Sequence, residues 1–269
     1  MYLRAFDWYL FGIAVGIMFV VAVVLGILIL YVSKLFEIKK DSRISEIMEW
    51  LPKANCGGCG QPGCEGFANA LINGSAKVDD CNPSSKEAKI EIANILGQTL
   101  SNAEETIAVV ACCGGKACGE KFIYQGYGTC QTQVIIDGGK KSCPAGCLGA
   151  GSCRGVCPND AIVIKNGVAY VNAEYCVSCG LCILTCPKKL IKRVPKSAKL
   201  FVACSTASKG KEVMASCKNG CISCGICEKN CEYGAIHLVN NVPIIDYSRC
   251  TACFKCADKC PRKVIKRLG

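Results

Sequence analysis

The longest apolar stretch of the chain runs from Trp8 to Val32 without one charged side chain. Built as helix, these 25 residues would reach about 37 Å, enough to cross a hydrocarbon core of about 30 Å with some tilt. Asp7 and Lys34 bound the stretch, and Tyr2, Trp8, Tyr9 and Tyr31 sit where interfacial aromatics belong. A cleaved signal would have a shorter apolar region followed by small residues, whereas Lys34-Leu-Phe-Glu-Ile follows here. Lys34, Lys39, Lys40 and Arg43 outnumber the lone Arg4, so everything after the span is expected in the cytoplasm.

Beyond the span the pattern shortens. Ile44, Ile47, Met48 and Leu51 recur at helical spacing over Asp41 to Trp50, and Pro52 ends that helix. Glu65 to Ile72 and the charged stretch Ser84 to Leu100 also predict helices, the latter broken at Gly97 and at Ser101-Asn102. The apolar runs 107–112 and 200–204 predict strands. Two β-capable segments, 161–171 with Asn166-Gly167 at its centre and 235–245 with Asn240-Asn241, predict hairpins. Val110-Ala111-Cys112 and Val202-Ala203-Cys204 match residue for residue. Each is followed by a further cysteine, Cys130 or Cys217, and then by two cysteine motifs, so the unit is duplicated.

The expected organisation is α+β. Residues 1–33 form a single transmembrane anchor, and 34–100 a juxtamembrane helix and a small four-cysteine iron–sulfur domain. Residues 101–199 and 200–269 form two tandem ferredoxin-like modules.

Composition changes this picture in one respect. The chain holds 26 cysteines among 269 residues, and all of them follow the span. Without them the apolar content is too modest for a large conventional core, so bridges or metals must supply part of it. Disulfides belong to secreted scaffolds, whereas the expected side is cytoplasmic and the spacings suit metal centres.

Cys176-x2-Cys179-x2-Cys182-x3-Cys186-Pro187 lets three thiolates wrap one corner of an iron–sulfur cube while the fourth faces a neighbouring cluster. The pattern returns at Cys221, Cys224, Cys227 and Cys231, and at Cys250, Cys253, Cys256 and Cys260-Pro261. A stretched relative stands at Cys143, Cys147, Cys153 and Cys157-Pro158. In a two-cluster ferredoxin each triple takes its fourth ligand from the partner motif. Four [4Fe–4S] sets are then expected: Cys143, Cys147, Cys153 and Cys186; Cys176, Cys179, Cys182 and Cys157; Cys221, Cys224, Cys227 and Cys260; and Cys250, Cys253, Cys256 and Cys231. The widened first motif, and Glu232 in place of proline after Cys231, depart from the pattern.

A fifth set is Cys56, Cys59, Cys64 and Cys81, whose glycine-rich loop can turn tightly around a bulky centre. Zinc also accepts four cysteines, but beside four ferredoxin-like motifs this set is read as iron–sulfur. Six cysteines remain. Either they are buried or free thiols, or Cys112, Cys130, Cys204 and Cys217 hold a sixth cluster, with Cys113 and Cys118 left over.

Other chemistry is thin. His237 is the only histidine and alternates with apolar residues, so it reads as structural, and a Rieske-type site is excluded. No glycine-rich nucleotide motif of either common kind occurs, so neither nucleotide nor flavin is expected on this chain. The net charge of +11 counts cysteines as neutral. Each four-iron cluster with four thiolates adds about −2, so five would bring the total to roughly +1, and nucleic acid need not be invoked. Lys188, Lys189, Lys192, Arg193, Lys196 and Lys199 follow the first module, and Arg262, Lys263, Lys266 and Arg267 the second. They read as a solvated, cluster-neutralising face, as a docking face for an acidic electron carrier, or as contacts to anionic lipid.

The order of span, Asn55-Cys-Gly-x-Cys-Gly-x-x-Gly-Cys64 with Cys81-x-Pro83, Cys143-x3-Cys147 to Cys153, and tandem modules resembles the Rnf complex, and within it the B-type component. That complex is an ion-translocating ferredoxin:NAD+ oxidoreductase of bacterial membranes. The two-module form looks like its extended version, and the resemblance covers nearly the whole chain. It implies a single-pass protein of the cytoplasmic membrane that takes electrons from reduced ferredoxin and relays them to membrane partners. They end on NAD+ at a separate flavin-bearing component, with sodium or proton transport coupled to the flow. The chain itself is then expected to perform no bond chemistry.

Overall fold

Helix α1 (Trp8–Leu35) follows from the uncharged stretch, because a helix satisfies its backbone groups internally where apolar side chains leave them no other partner. Residues 8–35, 41–98 and 104–268 are described by the computed structural model. Tyr2, Arg4, Asp7, Lys39, Lys40 and the break expected at Ser101-Asn102 lie outside them. The segment Phe11–Lys34 is long and apolar enough to cross a membrane, and none of it is buried by the chain's own residues. Met1–Ser42 forms one compact unit and Arg43–Gly269 another.

In the second unit α2 (Ser42–Trp50) buries Ile47 and, just after it, Leu51. Both pack with Phe67, Ala68 and Leu71 of α3 (Cys64–Ile72), with Val78, and with Ile92 of α4 (Lys86–Leu96). This small core also takes in Cys64 and Cys81. Helix α4 stops at Gly97, the expected break, which adopts φ 64°, and at its start the Ser85 hydroxyl accepts the Ala88 N–H at 3.2 Å.

The first module opens on β1 (Thr106–Val110) and continues through α5 (Cys130–Ile135), α6 (Ser152–Gly155), β2 (Ile162–Lys165), β3 (Val168–Val171), α7 (Leu181–Thr185) and β4 (Ile191–Pro195). The second repeats the plan with β5 (Leu200–Val202), α8 (Gly210–Ser216), α9 (Ile226–Lys229), β6 (Ile236–Val239), β7 (Val242–Ile245), α10 (Lys255–Asp258) and β8 (Ile265–Arg267).

Each module contains two antiparallel pairs. The hairpins β2–β3 and β6–β7 turn at Asn166-Gly167 and Asn240-Asn241, all four with positive φ. The other pairs join the module's first strand to its last: Thr106 faces Pro195 in β1–β4, and Leu200 faces Arg267 in β5–β8. The closing strands β4 and β8 are not among the expected elements. They fall in the two basic runs, where Lys192, Arg193, Lys266 and Arg267 take the exposed positions and Ile191, Val194 and Ile265 the buried ones. His237 lies half-exposed on β6, its Nδ1 3.2 Å from Glu228 Oε1, so its place is on the surface of the hairpin. Between the modules, Ile107, Val109 and Val194 pack against Phe201, Tyr247 and Leu268.

Candidate iron–sulfur sites

The three regular motifs share one backbone path. Ser178, Ser223 and Ala252, each just before the motif's second cysteine, have φ near 55°. Gly180, Gly225 and Phe254, just after it, are again left-handed. A one-turn helix then carries the third cysteine: Cys182 on α7, Cys227 on α9, Cys256 on α10. Two left-handed residues flanking one cysteine curl the chain, so three sulfurs two residues apart face one point. Phe254 holds this conformation without glycine's freedom, its ring stacked 4.4 Å from the Arg267 guanidinium.

The cysteines converge in sets. Cys157, Cys176, Cys179 and Cys182 line one cavity, and Cys231, Cys250, Cys253 and Cys256 another. Cys227 lies within electrostatic reach of Cys260 and Cys224, and Cys221 within reach of Cys227 and Cys260. Cys81 is raised by burial and by the Cys59 and Cys56 thiols, against the opposing Ser84 hydroxyl, which donates to its sulfur at 3.2 Å. Cys64 completes that group, its N–H donating to Asn55 Oδ1 at 2.9 Å. Among the described residues, no three Cys, His, Asp or Glu side chains close on a point the size of one ion.

One expected grouping differs from the placement of its cysteines. Cys147, Cys153 and Cys186 line a cavity together with Cys130, and Cys143 is absent from its lining. Cys130 starts α5, and its N–H donates to Ser152 Oγ at 2.8 Å, which ties it to the loop that carries Cys153. Cys143 instead lines a further cavity with Cys112, Cys113, Cys118, Cys204 and Cys217. Of the expected sixth set, Cys130 lies outside this cavity, and Cys118, left over in that grouping, lies within it. The signal is present in the sequence. Cys143-x3-Cys147 corresponds to Cys217-x3-Cys221, so Cys143 is the counterpart of Cys217 and precedes the triple. Cys147-x5-Cys153 is a triple without its middle member, and Cys130 stands beside it in the same cavity.

Burial shapes the acidity of these thiols. Desolvation pushes Cys153, Cys221 and Cys227 up to about 11 and Cys182 up to about 12. Against this, backbone N–H groups point at sulfur: Ala235 N–H to Cys231 at 3.2 Å, and Ala108 N–H to Cys176 at 3.5 Å. Such bonds favour the thiolate and, in a cluster, tune its potential. Cysteine-only donor sets, walled by Ile162, Ile191, Ile236 and Val264, suit iron–sulfur clusters.

Residues 51–83 match the family model described as a putative Fe-S cluster, 169–192 that of a 4Fe-4S binding domain, and 220–265 that of a 4Fe-4S dicluster domain. The chain is 40% identical to the B component of the Na(+)-translocating ferredoxin:NAD(+) oxidoreductase complex of Acetobacterium woodii, over 94% of this chain and 77% of the relative. It is 37% identical to the B component of the ion-translocating oxidoreductase complex of Methanosarcina acetivorans, over 95% and 94%. The B component of the proton-translocating ferredoxin:NAD(+) oxidoreductase complex of Clostridium ljungdahlii is 33% identical over 94% and 90%. The chain belongs to the RnfB family, the B components of Rnf complexes. Its matched iron–sulfur domains and its α+β architecture behind one apolar helix fit an electron-transfer component of an oxidoreductase complex.

Proposed function

We propose that this chain relays electrons from reduced ferredoxin to membrane-embedded partners in an Rnf complex, where NAD+ reduction is coupled to Na+ or H+ translocation. Five [4Fe–4S] clusters would be held by Cys56, Cys59, Cys64 and Cys81; by Cys130, Cys147, Cys153 and Cys186; by Cys157, Cys176, Cys179 and Cys182; by Cys221, Cys224, Cys227 and Cys260; and by Cys231, Cys250, Cys253 and Cys256. When bound, each cluster supplies a site that takes up and gives back one electron. The chain's residues desolvate the sulfurs, aim N–H groups at them and fix their spacing.

The observation that carries this reading is that the sets are neighbours. Cys179 lies within electrostatic reach of Cys56, and Cys182 of Cys153. The Cys56 set follows the span in sequence, which supports its place at the exit toward the membrane with α1 as the anchor. The basic residues that follow α1 support a cytoplasmic location for everything beyond it. A cleft lined by Lys116, Lys165, Lys266 and Arg267 supports an acidic electron carrier as donor.

The test is Cys56→Ala in the assembled complex. Ferredoxin should still reduce the C-terminal clusters while NAD+ reduction stops. Normal turnover would reject the proposed exit.

A further inference from the structure

The cavity that holds Cys143 sits where the two modules meet, and none of the five sets uses it. A short antiparallel bridge places Cys118 of the first module opposite Cys217 of the second. Gly119 N–H donates to the Ser216 carbonyl at 2.9 Å, and Lys218 N–H to the Ala117 carbonyl at 3.0 Å. Cys118, Cys143 and Cys217 pack together as one small buried cluster and are only 4, 8 and 5% exposed. Gly114 lines the space beside them. A Cβ there would stand 3.0 Å from Cys217 Sγ and 3.9 Å from Cys112 Sγ, so glycine is what leaves room between those sulfurs.

The surroundings are partly polar. Lys141 is buried close by, its ammonium 3.1 Å from the Gly115 carbonyl and 2.8 Å from Glu120 Oε1. Thr206, 2% exposed, lines the cavity. Two other cysteines line the cavity. The Cys113 thiol donates to the Asn219 carbonyl at 3.4 Å. Cys204 Sγ accepts the Cys221 N–H as Cys112 Sγ accepts that of Cys147, both at 3.4 Å, but it is Cys112 whose sulfur stands with that of Cys217 beside Gly114.

We propose that this cavity binds a sixth iron–sulfur cluster through Cys112, Cys118, Cys143 and Cys217. Three ligands come from the first module and one from the second, the three-plus-one division seen in the ferredoxin-like sets. The inference rests on the reading of the five flanking sets as clusters, and it gives the unused cavity a place among them. Cys112 Sγ accepts the N–H of Cys147 at 3.4 Å, so the site abuts the Cys130 set. Cys217 lies four residues before Cys221, so it also abuts the first set of the second module. The two halves of the duplication are thereby joined by a shared centre.

The experiment compares the full-length chain, purified without oxygen, with its Cys118→Ser, Cys217→Ser and Cys204→Ser variants. Iron and acid-labile sulfide per chain and the electron paramagnetic resonance of the reduced protein are measured. The first two variants should each lose about four iron atoms and one reduced-cluster signal. The roughly twenty iron atoms of the other sets should remain, which reports that the fold is intact. Cys204→Ser should keep the full complement. Where Cys217→Ser loses more than one cluster, Cys118→Ser decides. Full iron in Cys118→Ser, zinc in place of the lost iron, or an equal loss in Cys204→Ser would overturn the site as assigned. A wild-type count near twenty, unchanged in all variants, removes the sixth cluster alone. A wild type without iron or sulfide removes the five-cluster reading beneath it.

Discussion

A Cβ placed on Gly58 would lie 2.2 Å from the carbonyl oxygen of Cys179. The loop that carries Cys56 and Cys59 is thus seated directly on the backbone of a ligand loop in the first module, at a distance only glycine permits. The facing atom is backbone and cannot swing aside, so any side chain must push the two loops apart. Gly58→Ala should cost about 1–3 kcal/mol of the contact. Iron content should stay unchanged while electron transfer from the first module to the Cys56 set slows. Freeze-quenched spectroscopy of that set would show it, and an unchanged rate would mean the contact does not hold the sets together.

Cys130 starts a helix well before the motif whose cavity it lines, and its proposed role as a ligand is directly testable. Cys130→Ser should remove about four iron atoms and leave the Cys157, Cys176, Cys179 and Cys182 set in place. Iron analysis of the purified chain checks this, with full retention returning Cys143 to the set.

Acidity gives a third expectation, for the cluster-free chain. Cys153, Cys221 and Cys227 are raised from an ordinary 9.0 to about 11, and Cys182 to about 12, mainly by burial. Between these values the folded chain keeps protons that the unfolded chain has lost. Stability is therefore fully present below pH 9 and falls as pH rises through 11 to 12. Cluster assembly responds in the opposite sense, because ligation releases those protons and is favoured by rising pH. Urea midpoints of anaerobic, cluster-free protein at stepped pH would show the decline; a flat profile would contradict it.

Lys116 and Lys165 line the cleft between the modules, and both are exposed. If they steer an acidic carrier, Lys116→Glu with Lys165→Glu should slow reduction by ferredoxin about tenfold at low ionic strength. The difference should shrink as salt shortens the range of the field. Stopped-flow reduction across a salt series measures it.

Much of this architecture is legible in the sequence. The uncharged run predicts α1, Asn166-Gly167 and Asn240-Asn241 place both hairpins, and Gly97 ends α4, because each signal is local chemistry. The groupings around Cys179 and Cys253 can be read because two-residue spacing is itself a backbone geometry. What escapes depends on distant partners. Ile191 to Pro195 reads as a basic run until β1 arrives beside it to bury Ile191 and Val194. Cys130 and Cys143 exchange places because Val-Ala-Cys suggests one alignment of the two copies and the C-x3-C entrances another. Cys118 has no counterpart in the second copy, and only the bridge to Cys217 reveals it.

The measurement that bears most directly on the central claim is the iron and acid-labile sulfide content of the full chain, isolated without oxygen. Cysteine sets built for iron–sulfur cubes predict about four iron and four sulfide per set, so at least about twenty of each, with reduced-cluster resonances. A colourless protein holding zinc and no sulfide would contradict the account.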